Sequence, residues 1–169
     1  MERISRNFLE IKSLNKLLKV NKPIDSVEIN LLIPSDFQLN KFLYKQIGEK
    51  YHWTDRLIWT DQDWIKYVSR LDMHAYILKV KHEIAGFFEL IYHKEKFEIE
   101  IVYMGLLEEY FGKKLGGYLL SEAIKISRTF NIHRTWVHTC SLDHKNALNN
   151  YLARGMSIFR NETIKKNIN

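Results

Sequence analysis

A chain of 169 residues that is 46% hydrophobic and 27% charged, with two prolines, is long enough to bury one core and too apolar to stay disordered. Its single cysteine, Cys140, excludes an intrachain disulfide, and neither a Cys/His cluster nor a carboxylate pair at ligand spacing points to a metal. Twenty-six Lys and Arg against 20 Asp and Glu leave a net charge of +6, but the basic residues are scattered, which reads as a solvated surface rather than a nucleic-acid face.

Residues 1–20 carry Lys and Arg without the apolar core of a leader peptide, and no apolar run is long enough to span a bilayer, so a cytoplasmic protein without membrane contact is expected. One domain covering residues 1–169 is expected, with residues 1–24 as an extension packed on it or leading into it. Within that extension residues 7–11 suit a short strand, while Ile4, Phe8, Ile11 and Leu18 suit one face of a helix. A turn at Pro23 and Asp25 precedes alternating Val27, Ile29 and Leu31, a first core strand. Residues 36–50 place Phe37, Phe42, Leu43 and Ile47 at helical spacing. Thr60 and Asp63 form a capping box that starts a second helix through Trp64, Tyr67, Val68 and Leu71. Of Trp53, Trp59 and Trp64, two are expected to pin these helices to a sheet, and one is left open as a wall for a ligand.

Residues 75–81 and 84–92 read as two strands around a tight polar link, and residues 97–106 as a third after a turn at 93–96. Leu115, Leu119, Ala123, Ile126 and Phe130 recur at helical steps. Residues 134–140 form a strand whose Trp136, His138 and Cys140 share a face, read as ordinary core. Asp143 is the expected N-cap of a helix through Ala147, Leu148, Tyr151 and Leu152, with Gly155 as its left-handed C-terminal cap. Residues 156–164 make a last strand.

The segment most informative about chemistry is EYFGKKLGGYLL, residues 109–120, between a strand and a helix. Gly116 and Gly117 in a first helical turn cost about 1 kcal/mol each relative to alanine. A ligand approaching the backbone is one reason to keep them; helix–sheet packing is another. Open amides at a helix start beside Lys113 and Lys114 suit a diphosphate. On the preceding strand Glu98, Glu100, Val102 and Met104 alternate onto one face, and Gly105 suggests a bulge or a close approach.

This run, followed by a helix, a strand and then Ala147-x-x-x-Tyr151-x-x-x-Gly155-Met156, resembles the GNAT N-acetyltransferase superfamily over roughly residues 27–164. The stretches HTCSLDH, residues 138–144, and WTDR, residues 53–56, resemble a bacterial GNAT-like subgroup. The resemblance implies an α/β fold with a mixed, mostly antiparallel twisted sheet of about six to seven strands and about four helices. It further implies transfer of an acetyl group from acetyl-CoA to a primary amine of a small molecule or peptide, without a metal; a homodimer is left open. Phe111 to Gly116 occupy the Gln/Arg-x-x-Gly-x-Gly/Ala acyl-CoA signature, with Phe111 in place of Gln or Arg and Lys114 in place of the first glycine. The resemblance assigns Leu106, Leu107, Gly112, Lys113, Lys114, Leu115, Gly116, Gly117 and Asn146 to CoA, Glu100 (with Glu98 as substitute) to the general base, and Tyr151 to the general acid. The alternative is a module that holds acyl-CoA without transferring the acyl group.

Overall fold

The computed structural model describes residues 2–166. Among them lie four α-helices, α1 (Phe37–Gly48), α2 (Asp61–Val68), α3 (Leu115–Ser127) and α4 (Ala147–Ala153). The strands are β1 (Glu2–Ile11), β2 (Val27–Leu31), β3 (Met73–Val80), β4 (Glu83–His93), β5 (Glu98–Leu106), β6 (Arg134–Cys140) and β7 (Ser157–Lys166). They form one sheet in the order β2-β3-β4-β5-β6-β1-β7. Neighbouring strands are antiparallel except β5 and β6, which run parallel. The fold class and element counts are those the resemblance implied.

Each face of the sheet is apolar at every second position, and helices cover both. Ile99 and Ile101 of β5, Leu90 of β4, Val137 of β6 and Leu9 of β1 pack under Leu119, Ala123 and Ile124 of α3 and Tyr151 of α4. On the opposite face Ile77 and Phe87 meet Leu43 and Ile47 of α1, while Met73, Ala75 and Ile91 meet Tyr67 and Val68 of α2. Burying side chains of this size contributes about 1.5–3 kcal/mol each, so the sheet and its two layers hold together without cross-links.

Local chemistry sets the element ends. Asp36 accepts a hydrogen bond from the Leu39 amide at 2.9 Å and caps α1. Both halves of the Thr60–Asp63 capping box form at α2. Lys81 and His82 have φ of 50° and 69°, the two-residue turn that matches strand twist between β3 and β4. Gly155 adopts φ +93°, and a Cβ there would stand 1.9 Å from the Lys16 carbonyl oxygen.

The structure departs from the sequence reading at several points. Residues 2–11 are a full strand inside the sheet, between β6 and β7. α2 ends at Val68, leaving Leu71 97% exposed, and α3 ends before Phe130. Asp143 does not cap α4. Its Oδ2 instead accepts from Thr139 Oγ1 at 2.7 Å and from the Cys140 amide at 2.8 Å, while Asn146 stands at the cap position without a side-chain bond. Met104 lies off the face of Glu98 and Glu100. The β4–β5 register slips between Glu89 and Leu90, which leaves Val102 as the extra residue of a bulge and reverses the alternation beyond it. Accordingly Val102 packs toward α2, whereas Met104 packs with Ile99 and Ile101.

Candidate active site

β5 and β6 pair only from Glu98↔Arg134 to Ile101↔Val137. Beyond that point β5 runs on to Leu106 and β6 to Cys140 with no ladder between them. The two strand ends splay, and a cleft of about 1060 Å³ opens between them. Ile101, Val102, Tyr103, Met104, Gly105 and Leu106 line one wall, and Val137, His138 and Cys140 the other.

One end of the cleft is floored by the start of α3. Gly112, Lys114, Leu115, Gly116 and Gly117 all line it, and the first amides of a helix have no intrahelical acceptor. Gly112 has φ +75° and nothing within 4 Å of where a Cβ would stand. Lys114 at φ 60° and ψ 12° takes the left-handed shape that glycine adopts more easily. The two helical glycines have different reasons. A Cβ at Gly116 would meet only Asn150 Nδ2 and Leu106 Cδ1, both at 3.9 Å, so this position is kept open toward the cleft. A Cβ at Gly117 would stand 2.5 Å from Arg154 Nη1 and 2.9 Å from Val20 Cγ2, a packing constraint. Asn150 ties the two helices by donating from Nδ2 to the Gly116 carbonyl at 3.2 Å. Lys145 and Asn146 at the entry to α4 line the same end.

These residues fit a CoA diphosphate: a cradle free of Cβ atoms at Gly112 and Gly116, helix-start amides, and Lys114 and Lys145 as counter-charges. Leu107 and Lys113 are not among the lining residues. The Leu107 amide is used by the Ala85 carbonyl at 2.8 Å, and the Lys113 ammonium lies over the Tyr110 ring, 5.1 Å from its centroid.

Tyr151 of α4 and His138 of β6 both line the cleft. Burial, and to a lesser degree the charge of Asp143, push the Tyr151 phenol well above its ordinary value, so it carries its proton at neutral pH. Burial and then the Arg6 guanidinium press the His138 imidazole below its ordinary 6.5, outweighing the opposing pull of Glu100, Asp143 and Asp55. A neutral imidazole results at pH 7.

Glu100, which the resemblance assigned as the base, does not line the cleft. It sits opposite Trp136, where β5 and β6 are still paired and the sheet is closed. Its Oε2 is 2.9 Å from His93 Nε2. Glu98 is also engaged, accepting from Arg134 Nε at 2.8 Å and Trp136 Nε1 at 3.2 Å.

Residues 51–55, Arg6, Ile164 and Lys165 also line the cleft. Trp53 lines it, with its ring centroid 4.4 Å from that of Tyr103. Trp59 and Trp64 instead flank the buried Arg56, at 4.9 and 5.6 Å. Arg56 makes two 3.0 Å bonds to Glu89 and one of 2.8 Å to the Tyr67 hydroxyl. That staple fixes the loop bearing Trp53 and Asp55 onto the sheet.

A splayed parallel strand pair, a bulge beside the splay and a glycine-bearing helix start in one cleft agree with the family model that the sequence matches. The Acetyltransferase (GNAT) family model matches residues 37–156. The chain belongs to the GNAT acetyltransferase family.

Solved GNAT structures share the fold at low identity. A GCN5-related N-acetyltransferase from Sphaerobacter thermophilus superposes with a TM-score of 0.75 at 12% identity, covering 96% of this chain and 51% of that one. One from Kribbella flavida gives 0.65 at 13%, covering 91% and 54%. An aminoglycoside acetyltransferase, meta-AAC0020 from an uncultured soil metagenomic sample, in complex with sisomicin, gives 0.60 at 13%, covering 77% and 86%. The chain thus spans about half the length of the first two. No curated protein matches the sequence.

Within this GNAT fold, His138 and Asp55 line the cleft without having been assigned to the site from the sequence. The sequence reading put Trp136, His138 and Cys140 in the core, whereas the buried positions of β6 are Thr135, Val137 and Thr139, at 0, 3 and 4% exposed. Strand alternation turns Trp136, His138 and Cys140 to the opposite face, where His138 is exposed.

Proposed function

We propose that the protein transfers an acetyl group from acetyl-CoA to a primary amine by direct attack within the splay of β5 and β6. The observation that carries this reading is that Tyr151, His138 and the helix-start cradle all open onto one cleft. Bound acetyl-CoA would supply a thioester carbonyl as the acyl source. Gly112, Lys114, Leu115, Gly116, Gly117, Lys145 and Asn146 would hold its diphosphate, and the strand edge at Leu106 its pantetheine arm. An amine arrives protonated and becomes nucleophilic only after losing that proton. His138, neutral at pH 7, accepts it through an unprotonated ring nitrogen. Backbone amides along the bulged end of β5 favour the developing oxyanion. Tyr151 keeps its phenolic proton at neutral pH and gives it to the departing thiolate.

The test is release of the CoA thiol from acetyl-CoA across a panel of amines, with His138→Gln, Glu100→Gln and Tyr151→Phe compared. Loss of general acid–base help lowers turnover by about 10²–10⁴-fold, so His138→Gln and Tyr151→Phe should fall in that range while Glu100→Gln stays close to wild type. If Glu100→Gln falls and His138→Gln does not, the base is Glu100 and reaches the amine through His93 or water. Acetyl-CoA binding without turnover on any amine would make the protein a holding module.

A further inference from the structure

We propose that Asp55 is the recognition group for a second, cationic nitrogen on the acceptor, so that the substrate is a diamine or polyamine rather than a monoamine; this rests on the acetyltransferase reading above. Asp55 lines the same cleft as His138 and Tyr151 and is solvent-exposed there. Its Oδ1 accepts from the Tyr103 hydroxyl at 2.6 Å and from the Tyr44 hydroxyl at 3.0 Å. Tyr44 is fully buried, and its own hydroxyl accepts from the Arg56 amide at 3.1 Å. The carboxylate is therefore held by the buried Tyr44 and the half-buried Tyr103, on a loop stapled by the next residue, Arg56, to Glu89.

That arrangement holds a carboxylate in a fixed place on the cleft wall. Among the described residues no Lys or Arg forms an ion pair with Asp55, although the chain is basic overall. Arg6, across the cleft, is already paired with Glu162 at 3.2 Å. Among the described residues both hydrogen bonds to Asp55 end on Oδ1, which leaves Oδ2 open to a ligand. Beside it the Tyr103 and Trp53 rings form an aromatic wall, and an ammonium is attracted both to a fixed carboxylate and to a ring face. A substrate with one amine at His138 and another at Asp55 satisfies both groups, and each end then orients the other.

The experiment titrates 1,4-diaminobutane, spermidine and butylamine into the CoA-saturated protein by calorimetry, with wild type and Asp55→Asn in parallel. Asparagine keeps an Oδ1 that accepts from both phenols, so the loop stays packed while the charge is lost; circular dichroism and acetyl-CoA affinity check this. The expected result is binding of the diamine or triamine at least tenfold tighter than of butylamine, with Asp55→Asn reducing the polycation affinity tenfold or more and barely changing that of butylamine. Equal affinities for mono- and diamines, or an unchanged polycation affinity in Asp55→Asn, overturn the proposal. Asp55-dependent polyamine binding without CoA release from acetyl-CoA sustains the recognition site and sinks the acetyltransferase reading instead.

Discussion

Replacing Glu89 by Gln tests how the loop bearing the acceptor wall is held. The Arg56 and Glu89 side chains are 4 and 0% exposed. The guanidinium meets Glu89 through two 3.0 Å bonds, and Tyr67 donates to Glu89 Oε2 at 2.7 Å. Five aromatic rings surround Arg56, with centroids 4.1–5.6 Å from its guanidinium carbon. Burial on its own would lower the arginine's pKa, but Glu89 and then Tyr67 hold it higher than usual. Gln has the volume of Glu, so no cavity forms. What is lost is the full negative charge that, among the described residues, is bonded to the buried Arg56.

Breaking one side of such a pair costs about 3–5 kcal/mol, a large part of the 5–15 kcal/mol that stabilises a typical domain. With a urea m-value of about 2 kcal/mol/M, the midpoint should fall by roughly 1.5–2.5 M. Trp59 and Trp64 lie over Arg56, so tryptophan fluorescence reports the transition. The paired change Arg56→Met with Glu89→Leu should recover most of the loss, because a buried ion pair is often no better than apolar residues of similar volume. A loss under about 1 kcal/mol for Glu89→Gln would mean that water or another group compensates Arg56, and the staple argument would fail.

Gly155→Ala should destabilise the protein by at least about 2 kcal/mol in the same assay, since φ +93° alone costs alanine about 1–2 kcal/mol and its Cβ would also collide with the Lys16 carbonyl; a near-neutral result refutes the reading of the α4 cap. Burial holds His74, and burial with Arg6 holds His138, below the ordinary 6.5. The unfolded chain therefore binds more protons just below pH 6.5, and stability should fall as pH drops through that value. Replacing both histidines by Gln should flatten this part of a pH–stability curve, and an unaltered slope would contradict the assignment.

How much was legible in the sequence follows the range of the interactions involved. The Thr60–Asp63 box, the Lys81-His82 turn and the Gly155 cap are local, and each was readable from neighbouring residues. Residues 2–11 were not: β1 is a strand because it bonds to β6 and β7, more than 120 residues away, and nothing in its own sequence separates that from a helical face. Where Glu100 lies relative to the cleft was not readable for a related reason. Its alternation with Glu98 was read correctly, but the point at which β5 and β6 part company lies beyond it, between Ile101↔Val137 and the strand ends. The bulge at Val102 likewise depends on the β4 register. Asp55 was quoted within the WTDR stretch, yet its anchoring by Tyr44 and Tyr103 joins three separate elements that no local spacing reveals.

The central claim is that the splay between β5 and β6 receives acetyl-CoA with its diphosphate at residues 112–117, and calorimetric titration of acetyl-CoA into wild type and Gly116→Val tests it most directly. A Cβ at Gly116 makes only ordinary contacts, so the variant should fold, while the valine methyls intrude where the cradle must stay open. The account predicts 1:1 binding to wild type and at least about tenfold weaker binding to the variant, equivalent to about 1.4 kcal/mol or more. Equal affinity in a folded Gly116→Val protein, or no binding by wild type, would contradict it.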